Sequence, residues 1–318
     1  MENILLVMTM IKLLMIRIKY RALSRFLIET EIDYTNDNYE NDEERLIFLK
    51  YNKFSYRYVV ILFFLSTFLL LLYYFKSIVP NILMVMANST SEYKLPYKIQ
   101  PLLKPYNARN YAFDCIHEFI RIIMVVSAYV GPDCLLGCTS FHLSGQLAIL
   151  KCRVKEISKN NDGSRERIRK IILRHQHLIR LADILEDSFN IVISQHLFGI
   201  TIQLCVSSYR MLSSLAVLEK IDILTFVLYD SFLLVSLFTY CYIGECIIKE
   251  STSLCEEFYF TNWYEMSTIG RKLICICMMR ARKQLQLTCA KFCILTVSMF
   301  INIMNTSMAY LSFLRTTI

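Results

Sequence analysis

AKFCILTVSMFINIMNTSMAYLSFLRTTI closes the chain from Ala290 to Ile318, and the fold turns on how this stretch is read. Phe292 to Leu314 contains no Asp, Glu, Lys or Arg. At roughly 1.5 Å per residue such a run spans the ~30 Å hydrocarbon core of a bilayer as a helix. It is not uniformly apolar. Ser298, Asn302, Asn305, Ala309, Ser312 and Thr316 follow steps of four and three, so they share one face. A spanning helix with a continuous small and polar stripe either packs closely on a neighbour or faces water.

Upstream, the chain supplies more helices of the same kind. Tyr58 to Tyr74 (YVVILFFLSTFLLLLYY) is the clearest membrane span and ends at Lys76. Phe113 to about Ile157 reads as one long helix, with a kink expected at Gly131-Pro132. Ser188–Tyr209 and Ile221–Gly244 follow as an antiparallel pair. Met1–Ile18 is apolar but carries Glu2, Lys12 and Arg17, which suits the inner end of a membrane helix better than a signal peptide. Residues 29–45 are acidic, and residues 158–180 are basic and polar. The bulk numbers agree, with 55% hydrophobic residues, 19% charged and a mean hydropathy of +0.41.

Charge bias orients these spans. The stretches 17–57, 151–188 and 249–285 hold 8, 10 and 6 lysines and arginines, against 5, 2 and 1 in 76–112, 210–222 and the C-terminus. The first group is cytoplasmic by the positive-inside rule. The N-glycosylation sequon at Asn88 then falls outside, as glycosylation requires, and so does the C-terminus. The net charge of +8 sits mainly in loops and shows no basic stripe interleaved with aromatics, so nucleic acid is not indicated as a partner.

Catalytic chemistry is not indicated either. His175-x-His177 and His196 are a poor metal set, because residues two apart on a helix point away from each other. They read as polar residues on an interfacial helix. The twelve cysteines lie mostly in or beside apolar segments and behave as small hydrophobes, with no metal-binding spacing. No cofactor is implied. The intramembrane charges Arg121, Asp133 and Asp230 are candidates for function, weighed against snorkelling and packing. Aromatic residues in the outer halves of the spans are candidates to line an apolar pocket, weighed against an interfacial belt.

The last hundred residues resemble an insect odorant receptor. The residues that carry the likeness are CYIGECIIKES (241–251), NWY (262–264), MMRARKQLQLTCAKF (278–292) and TSMAYLSFLR (306–315). GPDCLLGCTSFHLSGQLAIL (131–150) and RHQHLIRLADILEDSF (174–189) resemble the family's central helix and its cytoplasmic approach to the next span. The resemblance implies an all-α polytopic membrane bundle of inverted topology, with about five full spans plus a partial N-terminal one where the family has seven. It implies a plasma-membrane subunit that binds a small volatile odorant and gates a cation channel with a co-receptor in a tetramer.

On the same resemblance the outer helix halves, about 58–76, 113–132 and 200–232, form the ligand region. Residues 151–190 and 245–290 form the cytoplasmic anchor, and 291–318 the pore helix. Phe68, Leu72, Phe75, Met124, Ala128, Phe226, Tyr229 and Leu233 are the expected ligand contacts. Aligned with the co-receptor's last helix, the family's two gate positions fall on Phe313 and Thr317, beside the polar stripe rather than on it. The threonine departs from the apolar pattern and makes that constriction wetter. The resemblance starts near the end of the family's second span, as in a shortened product, with or without function. The rival readings are a gustatory receptor, whose Thr-Tyr…Gln-Phe pattern is not found, and a G-protein-coupled receptor, which wants a cytoplasmic C-terminus and a DRY-like triplet.

Overall fold

The computed structural model describes residues 2–35, 39, 41–86, 108–157, 164–214 and 220–317. Its helices are α1 (Glu2–Ile18), α2 (Tyr20–Thr35), α3 (Asp42–Met86), α4 (Ala108–Ile157), α5 (Ser164–Ser214), α6 (Lys220–Phe260), α7 (Thr268–Ala281) and α8 (Val297–Thr317). A two-residue hairpin, β1 (Thr288–Cys289) with β2 (Cys293–Ile294), joins α7 to α8. Among the described residues four helices are long and apolar enough to cross a membrane, over Asp42–Lys76, Ala112–Ile157, Arg165–Met211 and Ile223–Phe260. At 41 to 51 residues, α3 to α6 are about twice the length a bilayer needs, so each projects well beyond it.

Seams of large apolar residues at steps of three and four hold the long helices together. On α4 the seam is Leu136, Leu143, Leu147, Leu150 and Val154, on α5 Leu178, Leu181, Leu185, Phe189 and Val192, and on α6 Leu233, Leu237, Tyr240, Leu254 and Phe258, all buried. The central element is α4, packed by α3, α6, α5 and α1, while α1 lies against α5 and α4. Gly131 and Pro132 sit inside an unbroken α4. None of the twelve cysteines is in a disulfide.

At the basic ends of the long helices the contacts become ionic. Arg153 grips the buried carboxylate of Glu44 with two hydrogen bonds of 2.9 Å, tying α4 to α3. Tyr51 donates to Glu250 at 2.7 Å, tying α3 to α6. Asp33 of α2 accepts from Arg174 at 2.8 and 2.9 Å and meets His142 Nε2 at 3.2 Å. Burial opposes ionisation of Asp33, but the His142 hydrogen bond and the Arg174 charge outweigh it and hold the carboxyl below its usual range. A lowered pKa adds stability above the unfolded value of about 3.9, which is lost as pH falls through the folded value. Asp33→Asn is expected to cost about 1 kcal/mol or less at pH 7, given the partial exposure of the pair, and less at pH 3, where acid has begun to remove the contribution. Thermal unfolding in detergent at the two pH values measures this; a penalty that does not shrink with acid counts against the ion pair.

Two expectations change here. The last helix begins at Val297, not Ala290. Ala290 and Lys291 have φ of 47° and 64°, a left-handed conformation that turns the hairpin and cannot continue a helix. The hairpin docks on α5, where Thr288 N donates to Glu186 at 2.8 Å and Ala290 N to the Asn190 carbonyl at 3.1 Å. The other change concerns Asp133, placed by sequence near a kink where packing or snorkelling would suffice. It is buried in the middle of the bundle.

Candidate functional site

Lys12 stands in the middle of α1, otherwise an apolar helix with charges only near its ends, and is completely buried. Its ammonium lies 2.6 and 2.8 Å from the two carboxylate oxygens of Asp133 on α4 and 3.7 Å above the centre of the Tyr129 ring. Tyr240 of α6 donates to Asp133 Oδ1, and Tyr58 of α3 donates to the Asp133 carbonyl at 3.1 Å. His196 of α5 stacks on Tyr240 with ring centroids 4.1 Å apart and 20° between planes. Its ring nitrogens meet Ser236 Oγ at 3.0 Å and Tyr129 Oη at 3.4 Å. Five helices therefore converge on one ion pair. A lone charge at this depth is expensive, and pairing plus hydrogen bonds to the remaining lone pairs is the arrangement that makes it tolerable.

This centre holds no activated nucleophile and no metal set. His175 packs on Phe258, and His177 Nε2 lies 3.4 Å from Glu29, so the three histidines do not converge. Among the described residues no group of three His, Cys, Asp or Glu is placed to hold a metal. His196 is not interfacial, as its sequence context suggested, but fully buried. Arg121 is partly exposed, 3.9 Å from Glu118 on its own helix.

The expected ligand contacts divide by helix face. Leu233 is buried, and Leu72, Ala128, Phe226 and Tyr229 are half-buried. Tyr229 packs on the core and donates to Gln203 at 3.1 Å. Phe68, Phe75 and Met124 turn outward, with 46%, 56% and 68% of their surface exposed on the single chain. The residues that α3 and α4 bury against each other here are Leu70, Tyr74 and Ile122, with Tyr74 donating to the Cys115 carbonyl at 2.8 Å. In a membrane both faces of a helix are apolar, so residue type does not tell the lipid side from the core side. Lys12, Tyr58, Tyr129, His196, Gln203 and Tyr240 were not expected at the site. One signal pointed to Lys12: a cation inside an apolar helix needs an intramembrane anion, and Asp133 was available.

α6 positions the start of α8. A Cβ placed on Gly244 would lie 2.2 Å from the Leu295 carbonyl oxygen, so only glycine lets the two backbones approach. The neighbouring Glu245 accepts from Val297 N at 3.2 Å, satisfying an orphan amide at the helix start. Beyond this junction, Met299, Phe300 and Ile303 pack on the core, whereas Ser298, Asn302, Asn305 and Ala309 are exposed on the single chain. The side chains of Phe313, Thr316 and Thr317 and the whole of Asn88 lie outside the described residues.

Against this geometry, the profile of the 7tm odorant receptor family matches residues 4–308. The chain belongs to this family. Among curated members of the odorant receptor family, Odorant receptor 13a of Drosophila melanogaster is 24% identical over 241 residues, covering 69% of this chain and 57% of the relative. The odorant receptor coreceptor of Anopheles gambiae is 24% identical over 148 residues, covering 46% of this chain and 30% of the relative. The chain thus spans about half the length of its longer-matching curated relatives. The insect olfactory receptor OR5 from Machilis hrabei, solved in complex with eugenol, has the same fold, with a TM-score of 0.78 at 18% identity over 99% of this chain and 81% of the solved one. This odorant receptor chain is therefore a helical, multi-pass membrane bundle of a receptor family, as its sequence motifs implied.

Proposed function

We propose that this chain is an odorant receptor subunit that binds a small volatile molecule and gates a non-selective cation channel together with a co-receptor. It lies in the plasma membrane with its N-terminus in the cytoplasm and its C-terminus outside. The observation that carries this reading is the exposed polar stripe of α8, Ser298, Asn302, Asn305 and Ala309. Amide and hydroxyl groups on a spanning helix do not face lipid, so the stripe calls for other subunits or a water-filled path.

In this reading Tyr229, Leu233, Leu72, Ala128 and Phe226 meet the ligand from within the bundle. Phe68, Phe75 and Met124 meet it only as it arrives from the lipid. Phe313 and Thr317 line the ion path, residues 151–190 and 245–290 form the cytoplasmic anchor, and Asn88 carries a glycan outside. The ligand acts by preferring the open arrangement, and no bond is made or broken.

Currents in cells co-expressing the chain with a co-receptor test the assignment. Phe313→Ala is expected to change leak or conductance, and Tyr229→Ala to weaken the response to ligand about tenfold while leaving conductance intact, on the order of one lost contact. Unchanged currents in both variants would sink the reading. A C-terminal epitope stained only after permeabilisation would overturn the orientation.

A further inference from the structure

About two turns outward along α5 from His196, Gln203 is fully buried. Its Oε1 accepts from Tyr229, but among the described residues its Nε2 donates only to the thioether of Met8, at 3.4 Å. A thioether is a weak acceptor, so this amide donor is poorly satisfied. One turn further out Ser207 is fully buried as well, its Oγ facing the Asp230 carboxyl of α6. The two lie close enough for the hydroxyl to favour the carboxylate, yet neither Ser207 Oγ nor Asp230 Oδ1 closes a hydrogen bond of ordinary geometry. Residues 203 and 207 share a face of α5, and Tyr229 and Asp230 of α6 meet them in turn, so these groups form one small polar shelf inside the bundle.

At bilayer depth no bulk water supplies the missing partners, and unsatisfied polar groups are costly. The shelf offers an under-used N–H donor at Gln203 and a carboxyl oxygen and a hydroxyl, at Asp230 and Ser207, that meet without good hydrogen-bond geometry. A single group that both accepts and donates would satisfy it. We propose that this shelf binds an alcohol or phenol, its hydroxyl accepting from Gln203 Nε2 and donating to Asp230 beside Ser207, in the place now held by the Met8 thioether. An ether, ester or ketone only accepts, and a hydrocarbon does neither. Met8 is a suitable occupant to displace, because its side chain is unbranched and flexible and lies over the bare backbone of Gly199. This inference rests on the reading that the outer helix halves bind a small molecule, and it names the class of that molecule.

The test uses the full chain in detergent micelles, with binding of 1-octanol, methyl octyl ether and octane followed by the shift in thermal unfolding. The alcohol is expected to bind about tenfold more tightly than the ether, the worth of one hydrogen bond to a buried group. Ser207→Ala and Asp230→Leu are expected to bring that ratio close to one. Should Asp230→Leu fail to fold, Ser207→Ala and Gln203→Met carry the comparison. Equal binding of alcohol and ether by the unaltered chain overturns the hydroxyl shelf and leaves the small-molecule reading standing. Binding of none of the three also overturns the shelf, while currents evoked by other volatiles would keep the broader reading.

Discussion

Lys12→Met is expected to destabilise the bundle by roughly 3–5 kcal/mol, the cost of leaving a buried charge without its partner. The stranded group is Asp133, whose carboxylate has Lys12 at 2.6 Å and, among the described residues, the Tyr240 hydroxyl as its one further side-chain donor. Asp133→Asn strands Lys12 in turn, with only the Tyr129 carbonyl at 3.5 Å and the Tyr129 ring to face. The double variant Lys12→Met, Asp133→Asn removes both charges while keeping an acceptor for Tyr240. It is expected to recover most of either loss, since an ion pair replaced as a unit leaves nothing uncompensated. Folded yield and unfolding temperature in detergent read all three. Penalties that merely add in the double variant would show that the two residues are not coupled.

Gly244→Ala is the second large expectation. Its Cβ would stand 2.2 Å from the Leu295 carbonyl oxygen and 3.0 Å from the carbonyl carbon, both backbone atoms that no side-chain rotation can move. Either α6 or the segment leading into α8 must shift, at about 1–3 kcal/mol of overpacking. The bond from Val297 N to Glu245 is lost or lengthened with that shift. The expected result is a lower unfolding temperature together with altered resting current, because the disturbed junction is the one that aims α8. Gly131→Ala is the matched control. Its Cβ would meet nothing within 4 Å, so that variant should melt within about 0.5 kcal/mol of the unaltered chain or slightly above it. If Gly244→Ala also melts unchanged, the contact of α6 with Leu295 is not tight.

Some of this was visible in the residues. The glycine belongs to CYIGECIIKES, one of the stretches that resemble the odorant receptor family, and the exposed stripe of α8 follows from the spacing of Ser298, Asn302, Asn305 and Ala309. The hairpin at 288–294 was not visible. LTCAKFC carries no glycine or proline to mark a turn, and the left-handed Ala290 and Lys291 are held by docking on α5. Phe68, Phe75 and Met124 were chosen by type and position along the helix, and rotation about the helix axis then placed them on the outside.

By itself the sequence determined the helical, membrane-crossing class and the family, because apolar run length and loop charge are local quantities that a bilayer reads directly. It also determined that charges were present at membrane depth. Only the tertiary structure decided that Lys12 and Asp133, 121 residues apart, neutralise each other, and that Tyr58, His196 and Tyr240 close around them. It likewise decided where the last helix begins. Pairing of buried polar groups depends on which faces of distant helices meet. In a chain whose outer and inner faces are both apolar, no local pattern records that choice.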